Sequence, residues 1–184
     1  DLNLSQAAQT GSFWLFVGVM FICGSGDFLV STHLVAIATD HGSTALTAAK
    51  MLSWYGLMGM GGLLVVGPVS DAIGSKWPLV LTFVLRGLLF AMILFFKTEP
   101  VFYFFAIVFG FTFFITAPLT TTLVARLYGL THLGLITGFI TTIHHFGGGF
   151  WAFVGGWQFD RSGNYETVFG ASLVMALAAA SAGW

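Results

Sequence analysis

Six long apolar runs, set apart by short clusters of charged and turn-forming residues, constrain this 184-residue chain more than any other feature. The runs fall at roughly 13–38, 45–69, 78–96, 100–125, 131–157 and 167–184. A helix needs about 20 apolar residues to cross the hydrocarbon core, and the longer runs must tilt, kink or project. Membrane strands would read as ~10-residue segments of alternating polarity, whereas these runs are continuous. Charged residues make up only 7% of the chain and hydrophobic ones 57%, with a mean hydropathy of +0.93. A soluble domain carries about 25% charged residues, so a chain this poor in charge must face lipid. The expectation is an all-α membrane protein with six transmembrane helices.

The connections are short: Asp40-His41-Gly42-Ser43, Asp71 through Trp77, Lys97-Thr98-Glu99-Pro100, Arg126 through His132, and Asp160 through Tyr165. Such loops predict antiparallel neighbours and leave no room for a soluble domain. Lys and Arg are balanced between the two sides, so the positive-inside rule does not orient the chain. A net charge of −1 supplies no basic field for nucleic acid. One cysteine, Cys23, rules out an internal disulfide and reads as a small buried residue. The chain opens on Asp1 and a polar stretch to Ser12 that does not resemble a signal peptide. The expectation is a piece of something longer.

Glycine is abundant. Gly56, Gly59 and Gly62 recur in the second run, and Gly134, Gly138, Gly148, Ala152 and Gly156 stand at four-residue spacings in the fifth. Small residues spaced like this let helices approach closely. Runs two and five are therefore expected inside the bundle or along a cavity, and the bulkier runs three and six toward lipid. Pro118, flanked by Thr116, Thr120, Thr121 and Thr122, breaks the ladder of run four, where threonine hydroxyls can satisfy the freed carbonyls.

Ionisable groups at membrane depth cost on the order of 2.5–3.5 kcal/mol each on insertion scales and mark pathways by default. Asp27 and His33 lie in run one, Arg86 in run three, and His144 and His145 in run five. Asp27, His33 and His144 are candidates for a substrate or proton pathway, since carboxyl and imidazole groups bind and release protons. His145 projects about 100° from His144 on a helix and is expected to face elsewhere. Arg86 is expected to snorkel or to pair with a neighbouring carboxylate. Lys50, at one end of run two, either snorkels or draws an anion to the mouth of a cavity. The same residues admit other chemistries. Gly24-Ser25-Gly26 with the histidines suggests an intramembrane serine–histidine dyad, and His33 with His144 or His145 a haem site. The expectation is neither of these: no catalytic residues, no metal, no cofactor.

The stretch Gly67-Pro68-Val69-Ser70-Asp71-Ala72-Ile73-Gly74-Ser75-Lys76 has the form G-x-x-x-D-x-x-G-x-K between two apolar runs. It resembles the loop signature of the major facilitator superfamily (MFS), found between the second and third helices of each six-helix half. Phe13-Trp14, Ser31-Thr32-His33-Leu34 and Asp40-His41-Gly42 look like the seventh helix of bacterial members. Gly138 through Gly156 with Phe159 through Tyr165 looks like the eleventh helix and its outer loop. The resemblance implies one C-terminal half of an MFS-type bundle (residues 1–184), a missing N-terminal six-helix half, a small-molecule substrate and a bacterial inner-membrane location. It also implies a cytoplasmic gate built on Gly67, Asp71, Gly74 and Lys76. Ala72 and Trp77 replace residues that are commonly basic, which thins the gate's charge network. The general look is similar to the monocarboxylate and oxalate–formate branches, but Met58 to Val66 lacks their helix-eight charges. The implied activity is secondary transport by alternating access, with proton coupling as one expectation. The competing architecture is a stand-alone six-span protein that works as a dimer.

Overall fold

The computed structural model describes residues 1–182, and among them every regular element is a helix. After a one-turn helix α1 (Leu4–Ala7) come α2 (Gly11–Asp40), α3 (Ala45–Ile73), α4 (Lys76–Phe95), α5 (Glu99–Phe113), α6 (Thr116–Tyr128), α7 (Leu133–Ser162) and α8 (Glu166–Ser181). Four stretches are long and apolar enough to cross a membrane: α2, α3, α4 and the α5–α6 pair taken together. The fifth expected run falls on α7, whose apolar content is diluted by threonines, histidines and glycines. The sixth falls on α8, a shorter apolar helix. That run was expected to reach residue 184, and its last two residues lie outside the described ones.

Local chemistry sets the ends. The hydroxyls of Thr10 and Thr44 accept from the backbone N–H groups of Phe13 and Thr47, at 3.3 and 3.1 Å, as N-caps do. Helix α3 overruns its expected end by four residues, so Gly67 and Asp71 are helical and the connection shrinks to Gly74-Ser75. Gly74 ends the helix at φ +80°, a backbone region closed to most side chains. Expected run four is two helices. The proline ring at 118 cannot donate to the carbonyl of Phe114 and crowds it, and the ladder breaks at Phe114–Ile115.

The closest helix pairs are not sequence neighbours. Helix α2 packs chiefly on α7, α3 on α5, and α4 on α8. The first two seams are parallel, because contact positions rise together along both chains: Gly24 meets His144, Phe28 meets Gly148, and His33 meets Gly155. Glycine makes these seams possible. A Cβ on Gly24 would collide with the His144 carbonyl, one on Gly110 with the Tyr55 backbone, and one on Gly62 with the Phe111 carbonyl. Gly56 and Gly138, also expected in the packing stripes, have open space before them.

Helices α3 and α4 each bury one face and expose the other. Helix α3 buries little beyond its α5-facing stripe of Tyr55, Gly59 and Gly62, and Leu57, Met60 and Leu64 are exposed. Helix α4, expected toward lipid, sends Phe83, Arg86 and Phe90 into the core. Two clusters form that core, one around Phe90, Phe102, Phe105 and Phe109, the other around Phe13, Phe16, Leu119 and Ile140. In lipid such clusters hold by close packing rather than by escape from water.

Candidate functional site

The costliest residues in the chain meet at one point. Asp27 on α2 and Arg86 on α4 form an ion pair, Oδ1 to Nη2 2.6 Å, with side chains only 1% and 2% exposed. The approach to Oδ1 is off-axis, a charge contact rather than an aligned hydrogen bond. The rest of the guanidinium is held from the α5 side and by Cys23. Nε donates to the Thr112 hydroxyl and Nη2 to the Thr112 carbonyl, both at 3.0 Å, while Nη1 donates to Cys23 Sγ at 3.3 Å. The thiol of Cys23, one turn before Asp27, donates to Asp27 Oδ2 at 3.4 Å. The face of Phe109 lies 4.9 Å from the guanidinium carbon. The break after α5 explains the geometry: no N–H of α6 takes the Thr112 carbonyl, which is left for the arginine.

His144 approaches the same carboxylate from α7, with Nε2 3.8 Å from Asp27 Oδ2. The close seam between α2 and α7 at Gly24 brings it there. Beside this network opens a cavity of about 250 Å³. Its polar lining is Asp27, His144, His145 and the threonines Thr116, Thr120, Thr121, Thr137 and Thr141. Phe28, Phe113, Phe114 and Met20 supply the apolar part. His145 therefore shares the cavity with His144, contrary to the helical-projection expectation. The two rings splay about Phe28, with centroids 6.2 and 5.6 Å from it, so a 100° offset is absorbed by a broad pocket.

Other candidates lie elsewhere. His33 bonds the Ala152 carbonyl through Nε2 at 2.9 Å and faces the Tyr165 hydroxyl through Nδ1 at 3.3 Å. It stands under two turns along α2 from Asp27. His33 and His144 sit beside α7 positions eleven residues apart, roughly 16 Å at ~1.5 Å per residue, too far to share a haem iron. Lys50 is exposed in a shallow groove with Ser53, Trp54 and Leu57. Gly67 and Asp71 are exposed on the last turns of α3, and Ser70 and Ser75 close the turn through a 2.6 Å hydroxyl contact. Arg126 comes within reach of Gly74. The Ser25 hydroxyl donates to the Phe21 and Gly147 carbonyls, at 2.8 and 3.3 Å. Among the described residues no imidazole accepts from it, and the dyad arrangement is not formed.

Cys23, Asp27 and His144 present donor atoms within 4.8 Å of one another, a spacing that suits a metal ion. The guanidinium of Arg86 already binds two of the three, and so supplies the positive charge a metal would bring. Sequence reasoning missed the roles of Cys23 and Thr112. Their only signal was Cys23 lying one turn before an intramembrane aspartate.

Among curated proteins no sequence matches the chain. The family model described as Major Facilitator Superfamily matches residues 9–184. It covers all the helices that build the cavity and its charge network. Members of that family are multi-pass membrane transporters of small solutes, and the chain belongs to the Major Facilitator Superfamily.

Proposed function

We propose that this chain forms one six-span half of a secondary active transporter that moves a small solute by alternating access. In this reading α7 and α8 complete the six spans, and the facing wall of the site comes from a second six-helix half. The cavity between α2, α5–α6 and α7 is this half's share of the site. The observation that carries the reading is a charge network buried in the bundle and open on one side to a threonine-lined cavity. A buried charge kept at membrane depth is costly, and here it adjoins the space a solute would occupy. Asp27 and His144 are the proton-handling pair and couple the solute to a pH gradient. His33 joins α2, α7 and the Tyr165 loop on the outer side of the bundle, while Lys50 lies at its rim. Gly67, Asp71, Gly74 and Lys76 form the cytoplasmic gate, with Arg126 beside it, in a bacterial inner membrane.

The test is reconstitution of the transporter in proteoliposomes under an imposed pH gradient. Gradient-driven uptake is expected from the native protein and is expected to be lost in Asp27→Asn and in His144→Gln, both checked for intact folding by size exclusion. Native-level, gradient-sensitive uptake by both folded variants would remove these residues from the coupling path.

A further inference from the structure

The hydrogen-bond directions around the cavity restrict what can bind there. The hydroxyls of Thr116 and Thr121 donate to the carbonyls of Phe113 and Ala117, at 3.3 and 3.1 Å; that of Thr137 donates to the Leu133 carbonyl, and that of Thr120 to Met20 Sδ at 3.3 Å. A hydroxyl has one proton, so each of these offers the cavity lone pairs only. His145 Nδ1 lies 2.8 Å from the Thr141 carbonyl. A carbonyl can only accept, so Nδ1 carries the proton and Nε2 of the neutral ring is an acceptor. His144 turns Nε2 to the Asp27 carboxylate and buries Nδ1, so it adds no free donor to the cavity. No Lys or Arg lines the cavity, and the three nitrogens of Arg86 are all engaged behind Asp27. Thr141 adds one hydroxyl that can donate or accept, and the wall as a whole offers more acceptors than donors and is close to neutral in charge. A carboxylate without O–H or N–H groups would meet mostly lone pairs and no cation from the cavity lining.

We infer that this wall binds an uncharged solute carrying several hydroxyl donors, a polyol or sugar, and that the proton handled by the Asp27–His144 pair reaches His145 Nε2, which it and the solute occupy in turn, making the transport an exchange. Protonation turns Nε2 from acceptor into donor, so the site loses a partner for the solute's hydroxyl as it gains the proton. Solute entering from one side displaces the proton to that side, and a proton taken up on the other side displaces the solute there, so the net movements are opposite. The titratable groups that share the cavity with the ring are Asp27 on α2 and His144 beside it; Cys23, Arg86 on α4 and Tyr55 on α3 lie behind Asp27, while α5 and α6 face the cavity with phenylalanine and threonine.

The inference rests on the transport reading, and one experiment separates the two. The transporter is reconstituted in vesicles holding a pH-sensitive dye and offered three panels: xylitol, sorbitol and glucose; acetate, formate and oxalate; ammonium and methylammonium. Entry from the first panel with alkalinisation of the lumen is expected. Entry from that panel with acidification, or with no proton movement, overturns the exchange. Entry restricted to the second or third panel overturns the solute class while transport stands, and entry from none counts against both. His145→Gln retains an acceptor that cannot titrate. It is expected to flatten the severalfold rise in half-saturating polyol concentration that the exchange predicts as the pH falls; an unchanged pH profile overturns the role of His145.

Discussion

Removing one member of the Asp27–Arg86 pair should have a different effect from removing the other. At 2.6 Å and an effective dielectric of about 20, the charges attract by about 6 kcal/mol. Burying both costs several kcal/mol per ion, so the intact pair comes out near neutral. Breaking a buried pair costs about 3–5 kcal/mol, because the survivor stays buried without its partner. Asp27→Asn leaves an arginine that cannot shed its proton, and the full penalty is expected at every pH. Arg86→Met leaves a carboxylate that can accept a proton, so its penalty should shrink as the pH falls. Asp27→Leu with Arg86→Met removes both charges. Its remaining cost is the orphaned Thr112 carbonyl, about 1–3 kcal/mol. The assay is SDS-induced unfolding followed by tryptophan fluorescence between pH 5 and 8. The double variant should be more stable than Asp27→Asn alone. A double variant no more stable than Asp27→Asn, or the same pH response from both single variants, would refute the buried pair.

Other expectations follow from named contacts. Gly24→Ala drives a Cβ into the His144 carbonyl and should cost about 1–3 kcal/mol or more, as overpacking does. Gly56→Ala meets nothing and should be neutral or stabilising by up to about 1 kcal/mol from helix propensity; unfolding midpoints compare the two. Lys97 bonds Glu166 and holds its carboxyl below the ordinary carboxylate range. The stabilisation this adds is present at neutral pH and is lost as pH falls through that lowered range. It should weaken in high salt, and Glu166→Gln should abolish the salt dependence of the acid limb. Burial, with the carboxylates of Asp40 and Asp160, pushes the Tyr165 phenol up. Folding is therefore expected to lose stability above about pH 10, where the unfolded tyrosine ionises first. Ultraviolet titration of the phenolate should show Asp160→Asn moving Tyr165 back toward the ordinary value. Pro118→Ala restores an N–H that can reach the Phe114 carbonyl, and should raise thermal stability; a lower midpoint would show that the break is not set by the proline.

The order and rough extents of the helices were legible because each is a long apolar run with polar ends. Even the break after Phe113 had its signal in Pro118 and the threonines around it. Which helices lie inside was not legible. Gly59 and Gly62 mark α3 as closely packed, but say nothing of its having one partner on one side. The uniformly bulky α4 hides its inward face because core and lipid demand the same residue types. In a soluble protein Phe83 and Phe90 would stand out against a polar opposite face; here Leu81, Val84 and Leu88 on that face are apolar and exposed. Arg86 was visible as an anomaly, and a carboxylate partner was foreseen as one option. Its ties to Thr112 and Cys23 depend on an α2–α4–α5 packing that sequence separation does not encode.

That packing explains why so expensive a pair sits beside the cavity. With Asp27 alone, the wall would carry a negative charge toward the solute; with Arg86 alone, a positive one. Together they cancel, and the carboxylate still faces His144 while the guanidinium stays behind it. The anchor for the arginine is the backbone at the end of α5, one residue from the break. Cavity charge and the shape of the broken helix are thus tied through one side chain. Any rearrangement of α6 that let the α5 ladder continue would draw the Thr112 carbonyl away from Arg86 and loosen its hold on Asp27. The charge that His144 meets would then change with helix geometry, which is the link between a moving wall and a proton-binding group that the proposed transport reading requires.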